Sequence, residues 1–108
     1  MKRGEIWWAE LPLPIGRRPV VLLSRDEAYP VRNAVTVAEV TTTIKDIPVE
    51  VPLGPEDGLP ERCVANLDTI ITIRKELLRE RISLLSAEKI SQVNQAIKFA
   101  LCLPSGDC

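Results

Sequence analysis

Ala34-Val35-Thr36-Val37-Ala38-Glu39-Val40-Thr41 sets β-branched residues at alternate positions. Side chains of an extended chain alternate between two faces, and Val and Thr fit a pleated surface, so the stretch predicts a strand. Toward the start, Pro19-Val20-Val21-Leu22-Leu23-Ser24 is a Val-rich apolar run without alternation, which suits a strand buried on both faces. Glu5 to Leu11 reads as a strand rich in aromatic residues, ended by Pro12, Pro14 and Gly16. Trp7 and Trp8 point to opposite faces of it, one expected in the core, the other a packing or dimer residue rather than a platform for bases. Asp26 to Asn33 is a polar connection.

Toward the end, Ile47 to Leu53 predicts a Pro-flanked strand at a sheet edge, because proline cannot donate to a ladder. Gly54 to Pro60 is a turn cluster, Cys63 to Ile73 a fifth strand region, Arg74 to Arg79 a short helical turn, and Ile82 to Leu85 one more brief strand. Ser86 is a good N-cap, with Glu88 in the favoured first turn. Ile90, Val93, Ile97 and Leu101 follow at helical spacing beside Ala96 and Ala100, and Pro104 stops the helix. Five or six short strands followed by one amphipathic helix predict a mainly β, α+β fold: a small, strongly twisted barrel with the helix packed on it.

With 108 residues, the chain is expected to form a single domain spanning 1–108, with its core at about 3–101 and a tail at 102–108. An apolar share of 45% argues against disorder. The net charge is −1, unlike that of a non-specific duplex binder, and it is unevenly placed. Residues 1–32 carry a net +2, residues 33–68 a net −5 and residues 69–108 a net +2. Nucleic-acid binding would therefore fall to a few placed arginines. The acidic middle is a solvated loop or a contact for a basic partner. Cys63, Cys102 and Cys108 form no CxxC pair, which argues against a disulfide framework or a zinc site. Cys63 and Cys102 are expected as small buried groups and Cys108 as a loose tail residue. Met1-Lys2-Arg3-Gly4-Glu5 shows no signal peptide and no run reaches membrane-spanning length, so the expected setting is a reducing cytoplasm.

There is no histidine, which removes Ser-His, Cys-His and paired-His sites. Carboxylates do not cluster at metal-ligand spacing, no Gly-rich phosphate loop is present, and nothing singles out a pair of acids. Arginine, hydroxyls and isolated acids remain. That set suits a phosphodiester, since arginine binds phosphate bidentately and stabilises developing negative charge.

Three motifs carry a resemblance. Arg3-Gly4-Glu5-Ile6-Trp7 is similar to the opening of the MazF/PemK toxin family. Gly16-Arg17-Arg18-Pro19-Val20-Val21-Leu22-Leu23-Ser24 resembles its glycine-x-arginine-proline strand, and Ala38-Glu39-Val40-Thr41-Thr42 its strand ending in threonine. Asn66 to Ile73 and the terminal helix also fit, so the likeness covers roughly residues 3–101. It implies an SH3-like, PemK-like barrel, a homodimer, and a metal- and cofactor-independent endoribonuclease acting on single-stranded RNA. The implied reaction is attack by the ribose 2′-hydroxyl on the adjacent phosphate, leaving a 2′,3′-cyclic phosphate and a 5′-hydroxyl. It also implies neutralisation by a cognate antitoxin whose disordered tail covers the active surface.

By the same resemblance Arg18 and Thr41 stand at the family's catalytic arginine and threonine. Guanidinium, with a pKa above about 12, keeps its proton in proteins, so Arg18 is expected to clamp the phosphorane rather than act as base. Asp68 is the candidate proton acceptor. Arg17, Arg25, Thr42 and Asn66 are candidate RNA contacts. The chain departs from the family pattern at Asn66, where one branch has arginine, at Thr69-Ile70-Ile71-Thr72, and in a shorter loop before Arg17. Two alternatives keep the fold without the chemistry. One is a same-fold poison of DNA gyrase, which depends on an aromatic C-terminus that Pro104-Ser105-Gly106-Asp107-Cys108 lacks. The other is a degenerate member that binds RNA or antitoxin without cutting.

Overall fold

The computed structural model describes residues 1–104; residues 105–108, which hold the end of the expected tail and Cys108, lie outside the described residues. Six strands form one antiparallel sheet: β1 (Glu5–Glu10), β2 (Arg17–Leu22), β3 (Ala34–Thr41), β4 (Glu50–Leu53), β5 (Cys63–Arg74) and β6 (Leu78–Leu84). Their order is β4-β5-β3-β2-β1-β6, and the sheet curls into a half-barrel. One α-helix among the described residues, α1 (Ala87–Ala100), follows.

The two faces bury different residues. On one, Ile6, Val21, Ala38, Val40, Val51, Leu53, Ala65 and Leu67 pack beneath Val93 and Ala96 of α1. On the other, Ala9, Val20, Leu22, Val35, Val37 and Ile73 pack with Tyr29 from the β2–β3 connection. Strand β2 thus feeds both clusters with successive residues, which is why its sequence is apolar without alternation. The edges β4 and β6 are bridged by the turn between β4 and β5. There the Ser83 hydroxyl of β6 donates to the Asp57 carbonyl, and the Lys89 ammonium of α1 donates to the Pro52 carbonyl of β4, tying the helix to that edge. Ser86 caps α1 as expected, accepting from the Lys89 N–H at 3.2 Å.

Five local expectations need correction. Strand β2 begins at Arg17, two residues before the expected start, because Glu10 pairs with Arg17 and Ala9 with Arg18. It ends at Leu22. The helical turn at 74–79 shrinks to a 3-10 turn at Lys75–Leu77, and β6 already begins at Leu78. The charged run Arg79-Glu80-Arg81 hides that strand's pattern: it lies exposed at the sheet edge, where Trp8 pairs with Glu80 and Trp7 with Arg81. Neither tryptophan is fully buried: Trp7 leans on the second cluster, and the Arg17 guanidinium lies 4.7 Å from the Trp8 ring centroid. Leu101 is 57% exposed, since the helix ends one residue earlier and that side chain leaves the stripe. Cys102 is exposed and takes part in a disulfide instead of lying buried, whereas Cys63 is buried as expected.

Candidate active site

Strand pairing decides which polar side chains meet. Val20 pairs with Glu39 across β2 and β3, and continuing that register sets Arg18 opposite Thr41. Residues two apart on a strand share a face. Arg18 is therefore on the face of Val20 and Leu22, and Glu39 and Thr41 are on the face of Val35 and Val37. The apolar cluster on that face ends at these positions, and a polar groove of about 210 Å³ takes over. Arg18, Glu39, Thr41, Thr43, Lys45, Glu50, Asn66 and Thr69 line it.

Strand β5 reaches the groove through an irregularity. Asn66 pairs with Glu39, but Ile70 pairs with Ala38, so residues 67–69 swell out of the β3 ladder. The Leu67 N–H turns instead to the Val49 carbonyl at 2.9 Å, and its side chain enters the helix-side core. Thr69 faces the groove. Asp68 falls between them, exposed, its backbone N–H bonded to Asn66 Oδ1 at 2.8 Å, and it is not among the residues lining the groove.

The groove's other wall is the loop joining β3 to β4. Glu50 holds it: its carboxylate accepts from the N–H of Lys45, at 3.0 and 3.2 Å, and from the N–H of Asp46 at 2.8 Å. Asp46 has φ 59°, a conformation that aspartate tolerates better than most residues. Thr41 Oγ1 accepts from the Thr43 N–H at 3.1 Å, which leaves its own O–H free to donate.

Arg18 and Glu39 form the site's ion pair. Arg18 Nη1 donates to Glu39 Oε1 at 3.3 Å, with the arginine side chain 35% exposed and Glu39 as a whole only 6% exposed. Glu39 is not among the candidate residues that the sequence motifs single out. The signal was an acid in an otherwise apolar and β-branched strand, two positions before Thr41, where burial demands a partner. Lys45, also missed, adds a second cation. Among the sequence-stated RNA contacts, Asn66 lines the groove. Thr42 and Arg17 do not: Thr42 borders an apolar hollow with Trp8, Pro19 and Leu59, and Arg17 pairs with Glu10 at 3.6 Å and Glu80 at 3.7 Å. Arg25 lies in the β2–β3 connection, away from the groove.

A second buried acid has a structural role. Glu5, 6% exposed, accepts from Arg81 Nε at 2.8 Å, Trp7 Nε1 at 3.0 Å and the Lys2 N–H at 3.0 Å. Burial raises its pKa, but the bonds from Arg81, Trp7 and Lys2 together outweigh that and leave it lowered from 4.5.

A curled, half-barrel sheet carrying a groove lined by an arginine, a lysine, hydroxyls, an amide and two acids defines a small mainly β protein whose groove has the donor groups that a phosphodiester would need. The comparisons agree. Residues 2–101 match the family described as PemK-like, MazF-like toxin of type II toxin-antitoxin system, and the chain belongs to that family. It is 40% identical over 100 residues to the probable endoribonuclease MazF5 of Mycobacterium tuberculosis, covering 92% of this chain and 91% of that protein. Its structure is similar to that of the M. tuberculosis toxin MazF-mt6, with a TM-score of 0.85, 33% identity, and 92% and 97% of the two chains covered. It is also similar to a mycobacterial endoribonuclease solved in complex with its cognate antitoxin, with a TM-score of 0.85, 29% identity, and 96% and 97% covered.

Proposed function

We propose that this chain is a metal-independent endoribonuclease toxin. It cleaves single-stranded mRNA by attack of a 2′-hydroxyl on the neighbouring phosphate, and a cognate antitoxin neutralises it. The observation that carries the reading is the meeting of Arg18 and Thr41, 23 positions apart in the chain, on one face of one groove. Relatives named as endoribonucleases support it, as does the one solved with its antitoxin.

The chemistry follows from the groups. Arg18 presents a fork of donors to the non-bridging oxygens and stabilises the charge that grows on them in the phosphorane. The Thr41 hydroxyl donates to the same phosphate. Lys45, which has no ion-pair partner among the described residues, lines the groove and adds a charge for the flanking backbone. Attack forms the 2′-O–P bond and breaks P–O5′, giving a 2′,3′-cyclic phosphate and a 5′-hydroxyl. An acidic antitoxin tail would compete for the same cations, so inhibition and substrate binding share one physics. A homodimer working in the cytoplasm completes the proposal. No helix among the described residues is long and apolar enough to cross a membrane.

The test is incubation with a long single-stranded RNA in excess chelator, followed by mapping of the ends. Cuts that leave 2′,3′-cyclic phosphate, vanish in Arg18→Ala and are blocked by 2′-deoxy substitution at the site support the reading. RNA left intact by the unmodified protein refutes it.

A further inference from the structure

We propose that Glu39 is the catalytic base, the group that takes the proton from the attacking 2′-hydroxyl; this rests on the ribonuclease reading above. The reaction needs a proton acceptor, and a guanidinium offers donors only. Among carboxylates the choice narrows by geometry. Asp68 is not on the groove. Glu50 is on it, but both of its oxygens are committed to the N–H groups of Lys45 and Asp46. Withdrawing it would release the loop that forms the groove's wall.

Glu39 differs from both. Only Oε1 is engaged, by Arg18 at 3.3 Å. Oε2 has no hydrogen-bond partner among the described residues. No fully buried side-chain oxygen among them lacks a partner, so Oε2 keeps some access to solvent, on a residue that lines the groove. The carboxylate shares strand and face with Thr41 and sits across the ladder from Asn66. Arg18 thus contacts both the acid and the phosphate site. A phosphate held between Arg18 and Thr41 brings its adjoining ribose against Glu39 Oε2, and the guanidinium offsets the repulsion between carboxylate and phosphate.

The step balances. The 2′-hydroxyl proton passes to Glu39 Oε2 as the 2′-oxygen bonds to phosphorus. The P–O5′ electron pair leaves with the 5′-oxygen, which takes a proton from water, and Glu39 returns its proton to solvent. Neither metal nor redox partner enters.

Glu39→Gln tests this, because the amide carbonyl still accepts from Arg18 but cannot carry the proton. Cleavage is expected to fall by about 100-fold or more, in kcat rather than KM, with loss of the low-pH limb of the kcat/KM profile. Binding of a 2′-deoxy copy of the RNA is expected to stay within about threefold of the unmodified protein. Glu39→Asp, which keeps a shorter carboxylate, is expected to retain that limb and part of the rate. Glu39→Gln cleaving within about threefold of the unmodified protein overturns the assignment while leaving the ribonuclease reading intact. So does loss of oligonucleotide binding in parallel with rate, which would mark a purely structural role. An unmodified protein that cuts no RNA overturns both.

Discussion

Removing the Arg18 side chain should damage stability and catalysis by separable amounts. Arg18→Ala deletes the one bonded partner, among the described residues, of a carboxylate that is 6% exposed. A fully buried pair broken this way costs about 3–5 kcal/mol, and an exposed pair about 0–1 kcal/mol. The arginine side chain is 35% exposed and one oxygen of Glu39 reaches solvent, so water recovers much of the loss. We expect about 1 kcal/mol, which for a domain of this size lowers Tm by ~4–8 °C. Catalysis should fall far more, by about 100- to 1,000-fold, the usual loss when one donor to a developing oxyanion is removed. The two effects part in the double variant Arg18→Ala/Glu39→Gln. It buries no unpaired charge and should regain most of the lost Tm, while cleavage stays abolished. Paired thermal melts and single-turnover cleavage on the four proteins of this cycle check it. If Arg18→Ala melts with the unmodified protein, or if the double variant recovers cleavage, the coupling argued from the 3.3 Å contact is wrong.

Three further outcomes follow from the geometry. Glu5 has a lowered folded-state pKa, so its contribution to stability is present above the unfolded value near 4.5 and is lost as pH falls through the lower folded value. Denaturant melts between pH 6 and pH 3, roughly the span over which a free carboxylate titrates, should show the unmodified protein losing stability, with Glu5→Gln giving a shallower curve. A Glu5→Gln curve parallel to the original would refute the role of the Arg81, Trp7 and Lys2 bonds. Glu50→Ala should free the loop, speeding amide exchange at Lys45 and Asp46 and raising KM for RNA more than it lowers kcat; unchanged exchange at those amides would contradict the anchoring. Gly4 has φ 91°, and a methyl placed there would lie 2.8 Å from Ile90 Cδ1, so Gly4→Ala should cost about 1–3 kcal/mol in urea melts. A cost below about 0.3 kcal/mol would mean that Ile90 and the strand end yield freely.

Periodicity carried most of the fold because most of the chain obeys it. Val35 and Val37 on one face and Ala38 and Val40 on the other are what an alternating strand between two cores requires. The same rule failed at Leu78–Leu84, an edge strand whose middle is Arg79-Glu80-Arg81. There the backbone is held by β1, and exposure lets the side chains be charged, so polarity says nothing about conformation. Of the candidate site, Arg18 and Thr41, which line the groove, were legible through a resemblance of short motifs rather than through any physical signal of their own. Glu39 carried such a signal and was passed over, because whether an acid in a strand faces water or a buried partner depends on a neighbour 21 residues away.

Asp68 shows where reading along one strand stops being informative. Unbroken alternation from Asn66 to Ile70 would put Asp68 on the groove face, beside Asn66. The extra residues between the Asn66–Glu39 and Ile70–Ala38 pairs break that parity, and Leu67 and Thr69 take the inward and groove positions around an outward Asp68. A bulge is set by two strands and the core beneath them, here by Leu67 bonding to Val49 of the segment leading into β4 rather than to β3. The same displacement brings Thr69 to the groove and keeps Asn66 across the ladder from Glu39. The irregularity that removes one expected acid from the site therefore builds the wall facing the other.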